Sequence, residues 1–522
     1  MGNLAKPDYA TSLFILYKMK KKPTKSTNKL KVRRLGIDTQ KEHVAYIRAD
    51  SHVVISEGFE ALARVRIKKG ILSIVASLHI VHSNLLSKGE IGLSEIAFSS
   101  LNIKNGDMIE IIHLEPLVSL GYIRAKIYGK TVDEKGMNEI VEDVLLGNYS
   151  NIHLSSFITA FAGDHMNLNE IISLTRAMII SGDRIKWKQK MVVDKHCIGG
   201  LPGNRTTPII VSIVSALGLT MPKTSSRAIT SPAGTADTME VMAPVNLSMK
   251  KIKDVVDKQG GCVVWGSGAN LSPADDILIR IERALDLDSE GQLIASVLSK
   301  KVAAGSTHLV VDMPVGDTVK LRSIEAANHL KILMEQVGNA VGLKLKVVVT
   351  DGSQPVGIGL GPSLEAMDIL SVLRNEKNAP ADLRERSLLL TGELLELAGF
   401  VKSGKGYETA AKVLSSGDAY KKFRAICKAQ GGYTEPEFAK YRHDIHANHS
   451  GIVRSIDNRK ISRVAKLAGA PDHPRAGVRY FAPLGKAVKK GDLLYTIFTE
   501  TEGELYYALQ YVKIESDIIL IK

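Results

Sequence analysis

Apolar positions along the chain change their period twice, and each change predicts a boundary. Between residues 35 and about 128 the apolar runs are short. Val53-Val54-Ile55, Ala63-Arg64-Val65-Arg66-Ile67 and Met108-Ile109-Glu110-Ile111-Ile112 are separated by glycines and polar turns, a pattern that predicts strands. From Gly136 apolar residues recur at i, i+3 and i+4 over 138–146, 154–162 and 168–180, which predicts three helices. The third stops at Ser181-Gly182-Asp183. Strand-like runs then alternate with helices: 191–193 leads into a glycine-rich loop, 209–217 is helical, and 309–312 and 345–349 read as buried strands. That alternation predicts an α/β layer with a largely parallel sheet. Helices dominate 364–426, and beyond about Ala439 short runs at 451–453, 477–481 and 493–497 return to strand character.

The predicted fold is therefore multidomain, α/β with α+β. It has an N-terminal β-rich domain at 35–135, a helical domain facing an α/β domain with a mostly parallel sheet at 136–438, and a β-rich C-terminal domain at 439–522. No run of 18 apolar residues occurs, so no membrane-spanning helix is expected. The three cysteines, Cys197, Cys262 and Cys427, are too few and too far apart for a disulfide framework or a paired-cysteine metal site. A reducing, cytoplasmic setting is expected.

The net charge of +14 suggests a nucleic-acid partner only until it is located. Residues 1–34 carry ten Lys and Arg against Asp8 alone, which accounts for nine of the fourteen charges. Like-charge blocks without interleaved aromatics are usually solvated segments. Residues 1–34 are therefore expected to be a flexible basic leader, and no nucleic-acid or membrane partner is expected.

Candidate chemistry concentrates in two segments. In Asp194-Lys195-His196-Cys197-Ile198-Gly199-Gly200-Leu201-Pro202-Gly203-Asn204 a strand ends in a cation and runs into three glycines ahead of a helix. Glycines let backbone N–H groups approach an anion, and a helix N-terminus favours negative charge. The Lys precedes the glycines, so this is not a Walker loop. The second segment, residues 224–240, includes Ser225, Ser226, Arg227, Ala228, Ile229, Thr230, Ser231 and Thr235. Its hydroxyls and guanidinium can surround a phosphate; equally, they can make a polar, capped loop before a helix.

Together these residues resemble the thymidine/pyrimidine-nucleoside phosphorylases. That family has a Lys-His-Ser-x-Gly-Gly phosphate loop and, some thirty residues on, a hydroxyl-rich segment ending in Gly-Thr-x-Asp. The chain has Lys195 to Gly200 and Ser225 to Glu240 in these places, with Cys197 for the family's Ser, Pro232 for its Thr or Ala, and Met239 for its branched aliphatic. A thiol is a weaker donor than a hydroxyl, which bears on one phosphate contact. A third family segment, Ser-x-x-x-Lys, is matched by Ser296 and Lys300. The similarity runs from about Glu139 to the C-terminus. The long N-terminal part is like the branch that groups bacterial thymidine phosphorylases with archaeal AMP phosphorylases.

The resemblance implies phosphorolysis of an N-glycosidic bond. Lys195, Gly199, Gly200, Ser225, Ser226 and Thr235 would hold phosphate. Arg227, Ala228, Ile229, Thr230, Ser231, Arg283, Ser296 and Lys320 would hold nucleoside or nucleotide. Asp288 would donate a proton and Lys300 would stabilise the leaving base. His196 either contacts sugar or phosphate or serves the loop. It further implies a homodimer or higher homo-oligomer, with inorganic phosphate as co-substrate and no cofactor. Thymidine or a related pyrimidine nucleoside is the first substrate reading and AMP the second. A phosphoribosyltransferase would want acidic residues ordered for magnesium diphosphate, and a nucleic-acid-binding protein would depend on the basic leader.

Three other features lead elsewhere. His443, His446 and His449 recur every third residue, but Asn448 and Gly451 indicate a turn and no metal site is expected. Gly357-Ile358-Gly359-Leu360-Gly361 lacks the complete dinucleotide pattern and reads as close packing. Residues 477–500 resemble a lipoyl-type β fold but have no Met-Lys-Met for a biotin.

Overall fold

The computed structural model describes residues 28–228, 231–266, 271–287, 289–515 and 517–522. The chain divides into two compact units, one made of described residues up to Val118 together with Leu146–His153, the other of the remainder.

The first unit is a closed six-stranded barrel. Its strands are β1 (Lys29–Arg34), β2 (Val44–Arg48), β3 (Arg64–Lys69), β4 (Leu72–Val81), β5 (Glu90–Leu93) and β6 (Met108–His113), ordered β1-β5-β2-β4-β3-β6. Alternation along β1 buries Leu30 and Val32 and turns Lys29, Lys31 and Arg33 outward. The last six residues of the expected leader are thus a barrel strand, because their period-two pattern supplies a core face that the charge count had hidden. Residues 1–27 lie outside the described residues. A second correction falls on Val53-Val54-Ile55, which belongs to helix His52–Glu57 and not to a strand. Ser51 at its N-cap position and Gly58, left-handed at φ 66°, bound it, and only Val53 is buried. Local end signals override the β-branched run here.

Helical structure in the second unit begins at Ser119–Ile127, earlier than the boundary at 135. Gly121 and the charges at Arg124 and Lys126 blur the apolar period there. Helices Glu134–Leu145 and Leu168–Ser181 follow, the latter capped by Asn167, whose side chain accepts from Glu170 N–H. Glu170 is buried and ion-paired to buried Lys126 at 2.7 Å.

The α/β layer contains β7 (Val193–Cys197), β8 (Met221–Ser225), β9 (Gly261–Trp265), β10 (His308–Val315) and β11 (Lys344–Asp351). All their pairings are parallel. Strands run β11-β10-β7 on one side and β8-β9 on the other, joined by the single bridge between Val192 and Thr220. Chain order reverses at β7 and β10, so the loops leaving these neighbours diverge. In open parallel sheets that point carries the ligand crevice, beyond the carboxyl ends of the strands.

The C-terminal region holds β12 (Gly359–Leu360), β13 (Tyr441–His446), β14 (Gly451–Ile456), β15 (Gly477–Tyr480), β16 (Ala487–Val488), β17 (Leu493–Thr499) and β18 (Ile519–Ile521). These form sheets β12-β15-β17-β13 and β16-β14-β18. The glycine-rich 357–361 stretch does pack closely: Ile358 and Gly359 N–H both donate to buried Asp368 at 2.7 Å, and Gly359 and Leu360 pair with β15. His443 and His446 sit on a strand, where His446 pairs with Gly491 O and His449 with Ile521 O. Among the described residues no group of three or more His, Cys, Asp or Glu is placed to hold a metal.

Candidate active site at the carboxyl ends of the parallel strands

β7 is polar yet lies inside the sheet, and buried partners make that possible. Lys195 is 2% exposed. Its Nζ donates to Thr206 Oγ1 at 2.8 Å and lies 3.5 Å from Asp312 Oδ2 on β10. Asp312 also accepts from Asn204 Nδ2 and Thr350 Oγ1, each at 2.7 Å. Burial pushes the Asp312 carboxyl upward, but Lys195, Arg386 and these donors outweigh it and hold it below the usual carboxylate range. Cys197 accepts from Asn204 Nδ2 at 3.3 Å, and burial pushes its thiol up to about 11. It is therefore a neutral thiol at working pH.

Asp194 occupies the gap where β7 and β8 part. Its Oδ2 lies 2.9 Å from Lys301 Nζ and its Oδ1 3.4 Å from Lys223 Nζ. Lys300, one residue before Lys301, ion-pairs with Asp275, which stands in the first turn of helix Pro273–Leu285. Ser296 and Lys300 are four apart on helix Glu290–Ala303 and share a face. His196, two residues on from Asp194 along β7, lies in the field of these lysines. Burial first, then the charges of Lys301, Lys223, Lys195 and Lys300, drive its imidazole well below its usual range, so the ring is neutral.

The glycine loop and the hydroxyl-rich loop are physically tied. Arg205, beside Thr206, ion-pairs with buried Glu365 at 2.5 Å and donates to Ala233 O. Asp237 closes the second loop: its Oδ2 accepts from Ala228 N–H at 2.6 Å and Gly234 N–H at 2.8 Å. Its Oδ1 accepts from Arg227 at 3.0 Å. Gly234 has no room for a side chain, since a Cβ would lie 2.5 Å from Ala228 N. Thr235 then starts helix Thr235–Met242.

Most of the expected residues meet here. Lys195 and His196 are on β7, with Gly199 and Gly200 in left-handed conformations at φ 95° and 84° just beyond. A Cβ on Gly200 would come within 2.9 Å of Lys320 N, which brings the loop after β10 against the loop after β7. Ser225 ends β8, and its buried Oγ has no hydrogen-bond partner among the described residues. Ser226, Ala228 and Ser231 follow in the clasped loop, Ser231 donating to Ala233 O at 2.8 Å. Arg227 points its guanidinium at Asp237 and Glu240 and over the Trp265 ring, 4.9 Å away. Ile229, Thr230 and Asp288 lie outside the described residues, as does the side chain of Arg283, whose backbone belongs to helix Pro273–Leu285.

Sequence reasoning gave no role to Asp194, Asp237, Asp275, Asp312, Lys223 or Lys301. The one available signal was the Gly-Thr-x-Asp spacing, which puts a carboxylate three residues after the glycine that precedes the helix.

Comparison with known proteins agrees with this layout. Residues 189–420 match the α/β domain of a glycosyl transferase family and residues 120–182 its helical bundle domain. Residues 452–518 match the pyrimidine nucleoside phosphorylase C-terminal domain. A Polaromonas protein named "Putative thymidine phosphorylase" is 54% identical over 492 residues, covering 94% of this chain and 96% of that one. One of the same name from Legionella pneumophila (strain Paris) is 52% identical over 492 residues, covering 94% and 95%. The chain belongs to the thymidine/pyrimidine-nucleoside phosphorylase family. An anthranilate phosphoribosyltransferase from Thermus thermophilus, 18% identical, superposes with a TM-score of 0.51 over 59% of this chain and 99% of that one, which shows a shared fold. As a thymidine/pyrimidine-nucleoside phosphorylase family member it is a glycosyl transferase. Among the described residues none of its helices is long and apolar enough to cross a membrane.

Proposed function

We propose that this chain cleaves the N-glycosidic bond of a pyrimidine nucleoside, thymidine first, with inorganic phosphate, releasing the base and (deoxy)ribose 1-phosphate. The observation that carries this is the cluster of four lysines around His196, at Lys195, Lys223, Lys300 and Lys301, which share only three carboxylates, Asp194, Asp275 and Asp312, among the described residues. These basic side chains accompany the left-handed glycines after β7 and the Ser225 hydroxyl, which has no partner among the described residues, a setting suited to an oxyanion.

In the reaction a phosphate oxygen forms a bond to C1′ as the C1′–N bond breaks, and that electron pair goes to the base. The transition state has oxocarbenium character, so the protein's task is to position phosphate and to stabilise charge. Lys195, Ser225 and Thr235 hold phosphate under the sugar. Ser296 and Lys300 receive the base and stabilise its anion until it takes up the proton that phosphate brought. Neutral His196 accepts or donates a hydrogen bond without adding charge. Asp275 keeps Lys300 pointed at the base, and the catalytic assembly works in a homodimer or higher homo-oligomer in the cytoplasm.

Lys320, exposed against Gly200, supports a second reading. A cation there suits the 5′-phosphate of AMP, which would give adenine and ribose 1,5-bisphosphate. Thymidine, uridine, cytidine, AMP and CMP, each incubated with phosphate and scored for released base, separate the two. Release from AMP without release from thymidine moves the assignment to the nucleotide, and release from none overturns the phosphorylase reading. Ser225→Ala is expected to raise KM for phosphate about tenfold, the worth of one neutral hydrogen bond. Because the Oγ has no partner among the described residues, its thermal midpoint should stay within about a degree of the parent. An unchanged KM would remove Ser225 from the phosphate site.

A further inference from the structure

Between β7 and β8 the buried charges do not balance. Asp194 is the counterion of two lysines, Lys301 at 2.9 Å and Lys223 at 3.4 Å, and all three side chains are buried. Lys195 is paired with Asp312, and Lys300 with Asp275. One ammonium in this interior therefore lacks a carboxylate of its own among the described residues. A buried charge without a full counterion is expensive, and a titratable group in that position gives up its charge.

The geometry identifies Lys223 as the group that yields. It holds the longer of the two contacts to Asp194, and its other hydrogen bond is to Thr224 O at 3.0 Å. That carbonyl accepts from a neutral amine as readily as from an ammonium. From β7 it is faced by Asp194, Lys195 and His196, and from helix Glu290–Ala303 by Lys301. From β9 it meets Cys262, whose thiol burial pushes up to about 12 and so keeps neutral. The two helices packed on β8 add no buried charge: Thr207–Ala216 has no titratable residue, and Met249–Gln259 buries only Ile252, Val255 and Val256. Burial, only partly offset by Asp194 and reinforced by Lys301 and Lys195, brings the Lys223 amine down to about 7.

We propose that Lys223 is an anion-gated cation, a buried amine that takes a proton from solvent when phosphate or another tetrahedral oxyanion settles at the carboxyl ends of β7 and β8. This rests on the phosphate site proposed above and adds to it a positioning residue whose charge appears only when it is needed. The step is a simple protonation: the amine lone pair binds a solvent proton, and the new positive charge offsets part of the arriving negative one. Oxyanion affinity is then linked to pH. Below about pH 6 the amine is already charged and binding takes up no proton; near pH 8 uptake approaches one proton per anion. Above pH 7 affinity falls by up to about tenfold per unit.

Sulfate is the suitable probe because, unlike phosphate, it does not titrate in this range. Calorimetry of sulfate binding to the full-length protein at pH 8, in buffers of different ionisation enthalpy, should give an uptake near one proton. Lys223→Met should bind sulfate more weakly, with no uptake and no pH dependence. Lys223→Arg, whose guanidinium stays charged, should bind sulfate without uptake and keep its affinity between pH 7 and 9. Wild-type binding without proton uptake, or uptake that persists in either variant, overturns the proposal. Where Lys223→Met fails to fold, the wild-type and Lys223→Arg measurements decide alone. If neither sulfate nor phosphate binds, the anion site itself is wrong and the proposal falls with it. Sulfate binding with proton uptake but no phosphorolysis of any nucleoside or nucleotide would leave Lys223 standing and overturn the reaction.

Discussion

Replacing Lys195 by Met should lower kcat/KM for phosphate roughly a thousandfold, the scale seen when one preorganised charge partner of a transition state is removed. It should also destabilise the protein by about 3–5 kcal/mol, because Asp312 is left buried with no cation in contact. These two effects have different origins and can be parted. Lys195 and Asp312 lie 3.5 Å apart at 2% and 0% exposure, so Lys195→Met with Asp312→Asn removes both charges at once. The pair should regain most of the lost stability in urea denaturation, and its turnover should stay low. Near-normal turnover in Lys195→Met would refute the placement of phosphate at β7. Full activity in the double variant would mean that the pair serves the fold alone.

The second large effect is expected at a residue that touches no substrate. Asp237 accepts two backbone N–H groups and one guanidinium bond, and hydrogen bonds to a charged group contribute about 1.5–3 kcal/mol each. Counting only the two amide bonds, because the Arg227 guanidinium is partly exposed, Asp237→Ala should cost about 3–6 kcal/mol in thermal or urea unfolding. It should also lower kcat/KM about a hundredfold, since the loop that presents Ser225 through Thr235 loses its clasp and small displacements are enough for a loss of that size. Asp237→Asn keeps an acceptor for the amides and should recover most of the stability. Unaltered kinetics in a folded Asp237→Ala protein would show that the loop's shape does not matter to turnover.

Much of this architecture was legible in the sequence, and the exceptions share a cause. Helix Thr207–Ala216 and strands β10 and β11 are apolar runs whose period and length leave little choice. β8 escaped because Lys223, Thr224 and Ser225 look like loop residues, yet all are buried. β7 was underestimated for the same reason: its middle is Asp194-Lys195-His196. Hydropathy reads such residues as surface, and only their ionic partners on other elements make burial tolerable. Those partners, Lys301 and Asp312, lie far along the chain from the groups they meet, so no local window holds the pairing. The loops had the opposite history. Their glycines and hydroxyls identified the site, while the carboxylates that shape it carried no local mark beyond the position of Asp237.

The order of strands in the N-terminal unit has one more implication. Because β6 pairs with both β1 and β3, the ring is sealed and, among the described residues, presents no lone ladder edge. A peptide cannot extend such a ring by adding a strand, and the outward Lys29, Lys31 and Arg33 of β1, the last ion-paired with Glu90, stand away from the barrel core.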